Sequence, residues 1–333
     1  MMKLLVLGGT VFLGRHVVEA ALAHGHDVTL FNRGQHNPEL FPEAEKLRGD
    51  RDGDMEALNG RAWDAVVDTC GYVPRLVRRS AQRLADVAGH YTFISSISVY
   101  ADFSRPQRDE NAPLGTLEDE SVEEVTNQTY GPLKVLCEGE AQRAFPGRAL
   151  IIRPGLIVGP HDPSDRFTYW PVRAARGGEA LVPGIPEQRV ECIDVRDLAE
   201  WNVQMIEAGK TGVYNATGPA EPLTMQGLLD ACNLAGGAET RFTYVPAEFL
   251  KAHDTDPNRV NTWCIPEEEV AFRYIFDIDC SRAKADGLPC RPLLDTVRDT
   301  LNWHRQRPAD TPLKVGLEAE REKELLEAWK SKR

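Results

Sequence analysis

In the first half of the chain, short apolar runs alternate with stretches of helical periodicity. Residues 3 to 7, KLLVL, form one run that breaks into GGTVFLG, and RHVVEAALAHG then places Val17, Val18, Ala21 and Leu22 at helical spacing. Gly25 supplies the stop, because glycine accepts the left-handed backbone that closes a helix, and DVTLF opens the next strand. The strand candidates are 3 to 7, 28 to 31, 64 to 68, 91 to 96 and 149 to 153. Strands that alternate with helices call for a parallel sheet covered on both faces. The expected fold is therefore α/β, a Rossmann-type doubly wound sheet. After residue 160 the rhythm becomes irregular, with proline, glycine and aromatic clusters.

The first strand-to-helix crossing carries chemistry. A glycine-rich turn at a helix start directs backbone N–H groups and the positive dipole end toward phosphate. GGTVFLG is thus read as a pyrophosphate cradle contributed by Gly8, Thr10, Val11, Phe12, Leu13 and Gly14, with an ordinary tight turn as the plainer reading. A second signal is Tyr130 and Lys134 in TYGPLKVLCEGEA, four apart and so on one helix face, with Pro132 acceptable in the first turn. A cation beside a phenol favours phenolate and moves it toward acid/base duty. The predicted helix starts near Tyr130 and runs toward Ala144. Just upstream, FISSISVY holds Ser96, with Ser95 as the near alternative.

GGTVFLG, VVDTCG, FISSISVY, YGPLK, RPGLIVGP and IDVRDLAEW, in this order and spacing, together with RPLLDTVRDTLNW at 291 to 303, resemble the extended short-chain dehydrogenase/reductase family, the NAD-dependent epimerase/dehydratase family. The resemblance spans nearly the whole chain. It implies a nucleotide domain at 1–160 with returning segments near 188–218, and a smaller substrate domain at 161–187 and 219–310. The segment 311–333 reads as a charged C-terminal tail, with a terminal helix from 316 packed lightly through Leu317, Leu325 and Trp329. Asp194 is read as a helix cap rather than a catalytic acid. The resemblance also implies a Ser96, Tyr130, Lys134 proton-transfer set, with Ser96 orienting the substrate oxygen and Lys134 on the nicotinamide ribose. Asp50 resembles the position that bonds the adenine amino group, and Arg51, Cys70, Gly71 and Pro154 join the implied cofactor-binding residues.

Cofactor choice turns on the end of the second strand, where NAD-preferring sites place an acid and NADP sites an arginine. Here the strand ends in Asn32 and Arg33, so NADP is expected over NAD. Val11 stands where the family's middle glycine falls, and its Cβ restricts the approach of backbone to pyrophosphate. Sugar dehydratases of the family carry an Asp-Glu pair after the Ser/Thr position; Ile97 and Ser98 stand there and cannot do that proton transfer. The usual nucleotide-sugar arginine would align with Val190, one position from Arg189. In 159–176, Arg166, Tyr169 and Trp170 are candidate substrate contacts, with a packed lid as the equal alternative. Trp263, Phe272 and Tyr274 are weaker candidates for the other wall.

Composition narrows the function classes. The formal charge of −12 disfavours general nucleic-acid binding, which needs cations to neutralise phosphates. Seven cysteines without a CxxC pair argue against a disulfide framework or zinc ribbon, and no metal site is expected. The first apolar run is too short for a signal peptide and no later stretch reaches membrane-span length, so a cytoplasmic protein is expected. The expected function is hydride transfer between NADP and a small carbonyl or alcohol, sugar-like in one reading. A sugar-nucleotide epimerase with retained NAD is the first alternative. A non-catalytic dinucleotide sensor or RNA-binding relative is the second. The resemblance makes a homodimer plausible.

Overall fold

The computed structural model describes residues 1–308 and 310–332. The chain divides into two compact units: Met1–Ile157, Val195–Thr217 and Ile278–Pro289 in the first; Val158–Asp194, Gly218–Asp277 and the chain from Cys290 onward in the second.

The first unit is built on a parallel sheet of seven strands. They are β1 (Lys3–Leu7), β2 (Asp27–Asn32), β3 (Glu45–Arg48), β4 (Trp63–Asp68), β5 (Ala88–Ile94), β6 (Ala149–Pro154) and a strand at Gly212–Ala216. From β1 the chain winds outward through β2 to β3, then crosses back and winds the other way through β4, β5 and β6, with Gly212–Ala216 at the far edge. Leu4 faces Val28 on one side and Ala65 on the other, so the order reverses between β1 and β4. In open α/β sheets such a reversal leaves a ligand crevice at the carboxyl ends of the strands. On one face α1 (Phe12–Ala23) packs along the helix Val195–Glu207; elsewhere α2 (Pro74–Leu84) packs along α3 (Tyr130–Ala144). Cover by helices explains why Leu4, Leu5, Val6 and Leu7 are all buried with no polar alternation. The Rossmann-type α/β sheet expected from the alternation is thus present.

Two features were harder to read. β3 is EKLR, an edge strand whose buried position is Leu47 alone, so neither alternation nor an apolar run marks it. The boundaries of the units also differ from the expected ones. Residues 188–194 lie in the second unit, and Ile278–Pro289 lies in the first. Asp286 anchors the latter segment, accepting bonds from Lys210 Nζ at 2.7 Å and the Tyr214 hydroxyl at 2.8 Å.

The second unit pairs strands Gly178–Pro183 and Thr240–Val245 in parallel, with helices Tyr169–Ala174, Met225–Gly236 and Leu293–Arg305 packed together. The charged terminal helix expected from 316 is present at Ala319–Ser331, and it is packed more firmly than expected. Its Glu322 is buried, accepting from Arg173 Nε at 2.7 Å and from the Leu181 amide at 3.0 Å. Leu325 and Leu326 are buried beside it, and Trp329 meets Phe249 edge to face at 4.9 Å. In the same unit the Asp194 carboxylate accepts from Thr296 Oγ1 at 2.7 Å, a structural use of that acid. No helix among the described residues is long and apolar enough to cross a membrane.

Candidate functional site

At the carboxyl end of β1, Gly8 and Gly9 take φ values of +103° and +87°, a backbone only glycine adopts without strain. Gly14 permits α1 to press onto this turn: a Cβ there would lie 2.9 Å from the Gly9 nitrogen. Val11 occupies the N-cap of α1, offers no side-chain cap, and is followed by a first turn with no acid. The first N–H groups of α1 are therefore left for an anion. Val11 itself is extended and 44 % exposed, so its Cβ is accommodated; the left-handed backbone falls on Phe12, with φ +37°. For a residue with a Cβ that conformation costs on the order of 1–2 kcal/mol. Thr10 is buried, and its carbonyl accepts from Asn37 Nδ2 at 2.8 Å, which braces the turn.

At the end of β2, Asn32 Nδ2 donates to the Gly8 carbonyl at 2.7 Å, while its Oδ1 accepts from the Gly34 amide and from Arg48 Nη1. Arg33 projects into solvent. The strand ends of β2 and β3 thus bring two guanidinium-bearing residues to one corner with no carboxylate at the β2 end.

Arg51, expected on the dinucleotide, is engaged elsewhere. Its Nη1 and Nη2 donate to the two oxygens of Asp68 at 2.9 and 2.7 Å, and Nη2 also reaches Ser80. Burial works to raise the Asp68 carboxyl, yet Arg51 and the Tyr91 hydroxyl, 2.8 Å away, hold it below the ordinary range. Arg51 therefore ties the loop after β3 to β4. Asp50 next to it is half-buried, and its Oδ1 accepts from the Asp52 amide at 2.9 Å. Burial pushes the Cys70 thiol up to about 11, so it is no nucleophile at neutral pH. Gly71 is required sterically, since a Cβ there would stand 2.5 Å from Phe93. Pro154 ends β6 at the same carboxyl edge and is buried.

α3 starts at Tyr130, as its spacing predicts. Gly131 lets the helix start touch the short turn Ile97–Val99: a Cβ at 131 would lie 2.0 Å from the Ser98 carbonyl oxygen. Ser96, at the N-cap of that turn, accepts from the Ser98 amide and donates to the Ser98 hydroxyl, both at 3.1 Å, and remains half-buried. Ser95 is buried and donates to Glu138 Oε1 at 2.5 Å, inside the bidentate pair of Glu138 with Arg153. Ser96 is thus the hydroxyl left at the edge. Lys134 is 3 % exposed, and its Nζ donates to the carbonyls of Gly71 at 2.7 Å and Ile94 at 2.6 Å. The ammonium also lies 4.2 Å from the Phe93 ring centre. Burial lowers Lys134 from 10.5 to about 8, because no carboxylate bonds it directly.

A second phenol, absent from the expected set, stands beside Tyr130 and Lys134. Tyr72 is 50 % exposed, its ring centre 6.4 Å from that of Tyr130 and 5.4 Å from Lys134 Nζ. The available signal was its place directly after Gly71, at the carboxyl end of β4.

In the second unit most expected substrate contacts move inward. Tyr169 and Trp170 are 1 % and 0 % exposed and pack edge to face at 4.9 Å, so they form core rather than a substrate wall. Gly316 closes against the Tyr169 ring, where a Cβ would lie 2.1 Å away. Trp263 is fully buried, donating from Nε1 to the Glu191 carbonyl at 3.1 Å, and likewise cannot line a site. Arg166 stays exposed, with Nε donating to Ser164 Oγ at 3.1 Å; Phe272 is exposed and Tyr274 half-buried. Val190 is buried, and Arg189 donates to the Phe276 carbonyl at 2.8 Å.

The NAD dependent epimerase/dehydratase family matches residues 4–217. The chloroplast stem-loop binding protein of 41 kDa b of Arabidopsis thaliana is 26 % identical over 267 residues, 71 % of this chain and 63 % of that protein. This chain thus spans less than two thirds of that relative's length. UDP-N-acetylglucosamine 4-epimerase from Bacillus cereus superposes with a TM-score of 0.66 at 18 % identity, covering 94 % of this chain and 99 % of that one. The Bordetella bronchiseptica enzyme WbmG, solved with NAD and UDP, gives 0.69 at 15 %, covering 92 % and 95 %. At these identities the structural likeness is one of fold.

Proposed function

This chain belongs to the NAD dependent epimerase/dehydratase family, and on that premise we propose that it is a nicotinamide-dinucleotide-dependent oxidoreductase acting on a small carbonyl or alcohol, sugar-like in its simplest form. The observation that carries the reading is Lys134, a buried ammonium held by two backbone carbonyls one helical turn from Tyr130. A lysine desolvated without a partner carboxylate costs stability, and proteins place such groups where chemistry uses them.

The residues present fit a dinucleotide. Gly8, Thr10, Val11, Phe12, Leu13 and Gly14 make the uncapped start of α1 that would take the pyrophosphate, and the half-buried Asp50 would bond the adenine. Arg33, with Arg48 beside Asn32, supports a 2′-phosphate and hence NADP. WbmG was solved with NAD, so this corner is where the proposal departs from that fold relative. When bound, the nicotinamide supplies or takes the hydride. Tyr130 gives the substrate oxygen its proton in reduction and removes it in oxidation. Lys134 favours the phenolate form of Tyr130 through its charge. Ser96, turning its hydroxyl from Ser98 to the substrate, would donate a hydrogen bond that strengthens as charge develops on the reacting oxygen.

The likeness to a 4-epimerase favours a second reading, an epimerase that regenerates its cofactor internally. Dehydration by the Asp-Glu route has no support, since Ile97 is buried and Ser98 is not an acid. The name of the Arabidopsis relative raises stem-loop binding; the net charge of −12 and the Ser96, Tyr130, Lys134 set favour the enzyme. One experiment separates these readings. Purified protein is analysed for retained dinucleotide and then assayed with NADPH and NADH against a carbonyl panel. Net oxidation of added NADPH supports the proposal. Retained NAD with inversion of a nucleotide-sugar hydroxyl and no net cofactor change replaces it with the epimerase.

A further inference from the structure

The amino-terminal edge of the sheet carries a polar cluster that the proposed reaction does not use. α1 ends in Ala-His-Gly-His, residues 23 to 26. The Gly25 amide donates to the Leu22 carbonyl at 2.9 Å and the His26 amide to Ala21 at 3.0 Å, with Gly25 at φ +77°. That double closure fixes the two imidazoles relative to each other. The helix Val195–Glu207, packed along α1, ends the same way, with Gly209 donating to Ile206 at 3.0 Å and Lys210 to Met205 at 2.9 Å. Neither helix carries a basic residue in its last turn. Two negative helix ends and the carboxylates of Glu200 and Glu207 thus converge on His24 and His26, an environment that favours a cation.

We propose that His24 Nδ1, His26 Nε2 and Glu207 Oε1 bind a divalent transition-metal ion of the zinc class. Glu207 Oε1 stands 3.1 Å from His24 Nδ1 and 3.0 Å from His26 Nε2, and the three residues each bring one ligand atom to within 4.8 Å of the others. Ligands about 2.0–2.1 Å from a tetrahedral ion stand roughly 3.3 Å apart, so modest side-chain adjustment closes the site. The His26 side chain is 4 % exposed, and its Nε2 makes no hydrogen bond although an oxygen lies 3.0 Å away. A ring nitrogen whose donor direction misses the neighbouring carboxylate suits coordination to a third atom between them. His24 Nε2 lies 2.7 Å from Glu200 Oε1, the carboxylate–histidine contact that orients a metal-bound imidazole. His24 and Glu207 are exposed, which leaves an entry path and room for water as a fourth ligand. Coordination through Nε2 puts the His26 ring proton on Nδ1, so the 3.2 Å approach of the Met2 amide to Nδ1 must give way.

The test uses full-length protein without a histidine tag, stripped with chelator and titrated with ZnCl2 by calorimetry at pH 7.5. The expected result is one ion per chain with a rise in Tm. His24→Ala and Glu207→Gln, both at exposed positions, each weaken binding by at least about a hundredfold, and Glu200→Gln by about tenfold to a hundredfold. Circular dichroism confirms that the variants fold. Failure to bind one ion per chain, or binding of equal affinity in His24→Ala and Glu207→Gln, overturns the site. The cluster would then be a metal-free imidazolium clamp bridging Glu200 and Glu207.

Discussion

Two buried cations meet the same helix, α3, one turn apart, and their treatment differs. Arg153 on β6 is 3 % exposed and doubly bonded to Glu138, with its remaining donors on the Tyr100 hydroxyl and the Glu110 carbonyl. Burial works against its charge, and Glu138 overcomes that, leaving the guanidinium more firmly protonated than in water. Lys134 is equally buried, but its direct partners are neutral carbonyls, and burial holds it at about 8. A paired charge is locked and serves packing. A charge held by dipoles alone sits near the pH of its surroundings and can influence a neighbouring phenol.

The largest expected effect breaks the locked partner. Glu138→Gln leaves Arg153 as a buried charge without a counter-ion and should cost about 3–5 kcal/mol in urea unfolding. A loss under 1 kcal/mol would mean Arg153 is not structural. The next measurement concerns Lys134 and pH. An unfolded lysine keeps its proton up to its ordinary value of 10.5, the folded one only to about 8, so the unfolded chain binds more protons between those limits. Stability contributed by this group is lowest below pH 8 and rises through the window up to 10.5. At about 1.4 kcal/mol per pH unit, wild type should gain about 3 kcal/mol over that range relative to Lys134→Met. Parallel stability curves for the two proteins would refute the poised lysine. Third, Tyr130→Phe should lower turnover by at least about a hundredfold while leaving cofactor affinity intact, the scale of acid/base catalysis. Near-normal turnover on an identified substrate would end the proposed mechanism. The mildest test extends the contrast to an exposed cation: Arg33→Ala should weaken NADPH binding about tenfold, roughly 1.4 kcal/mol, and leave NADH unchanged. Equal losses for both would remove the argument for NADP.

The β1, α1, β2 crossing and the start of α3 were legible because each is written in local terms: an apolar run, glycines, a helical period, a proline in a first turn. β3 was not, since a charged edge strand buries one leucine and shows no period. Partners distant in sequence were equally hidden. Arg51 looked like a cofactor residue beside Asp50, and only the fold brings it to Asp68. His24 and His26 carried no metal signal on their own, because Glu207 arrives from another helix. Tyr169 and Trp170 show a third limit. Aromatic clusters among prolines suit both a lid and a core, and depth decides between them. Tyr72 stood in plain view after Gly71, but a single tyrosine has no pattern until Tyr130 is set beside it.

The contact of Gly131 with the Ser98 carbonyl bears on inheritance. Every amino acid one nucleotide away from a glycine codon has a Cβ, and at position 131 that atom would enter the space of a backbone oxygen. Relief must move the start of α3, which carries Tyr130, or the turn that begins at Ser96. A displacement near 1 Å in a catalytic constellation costs about a hundredfold in rate. On the proposed mechanism, nearly every missense change in this codon is therefore expected to be a loss-of-function allele, although residue 131 contributes no side chain and performs no chemistry.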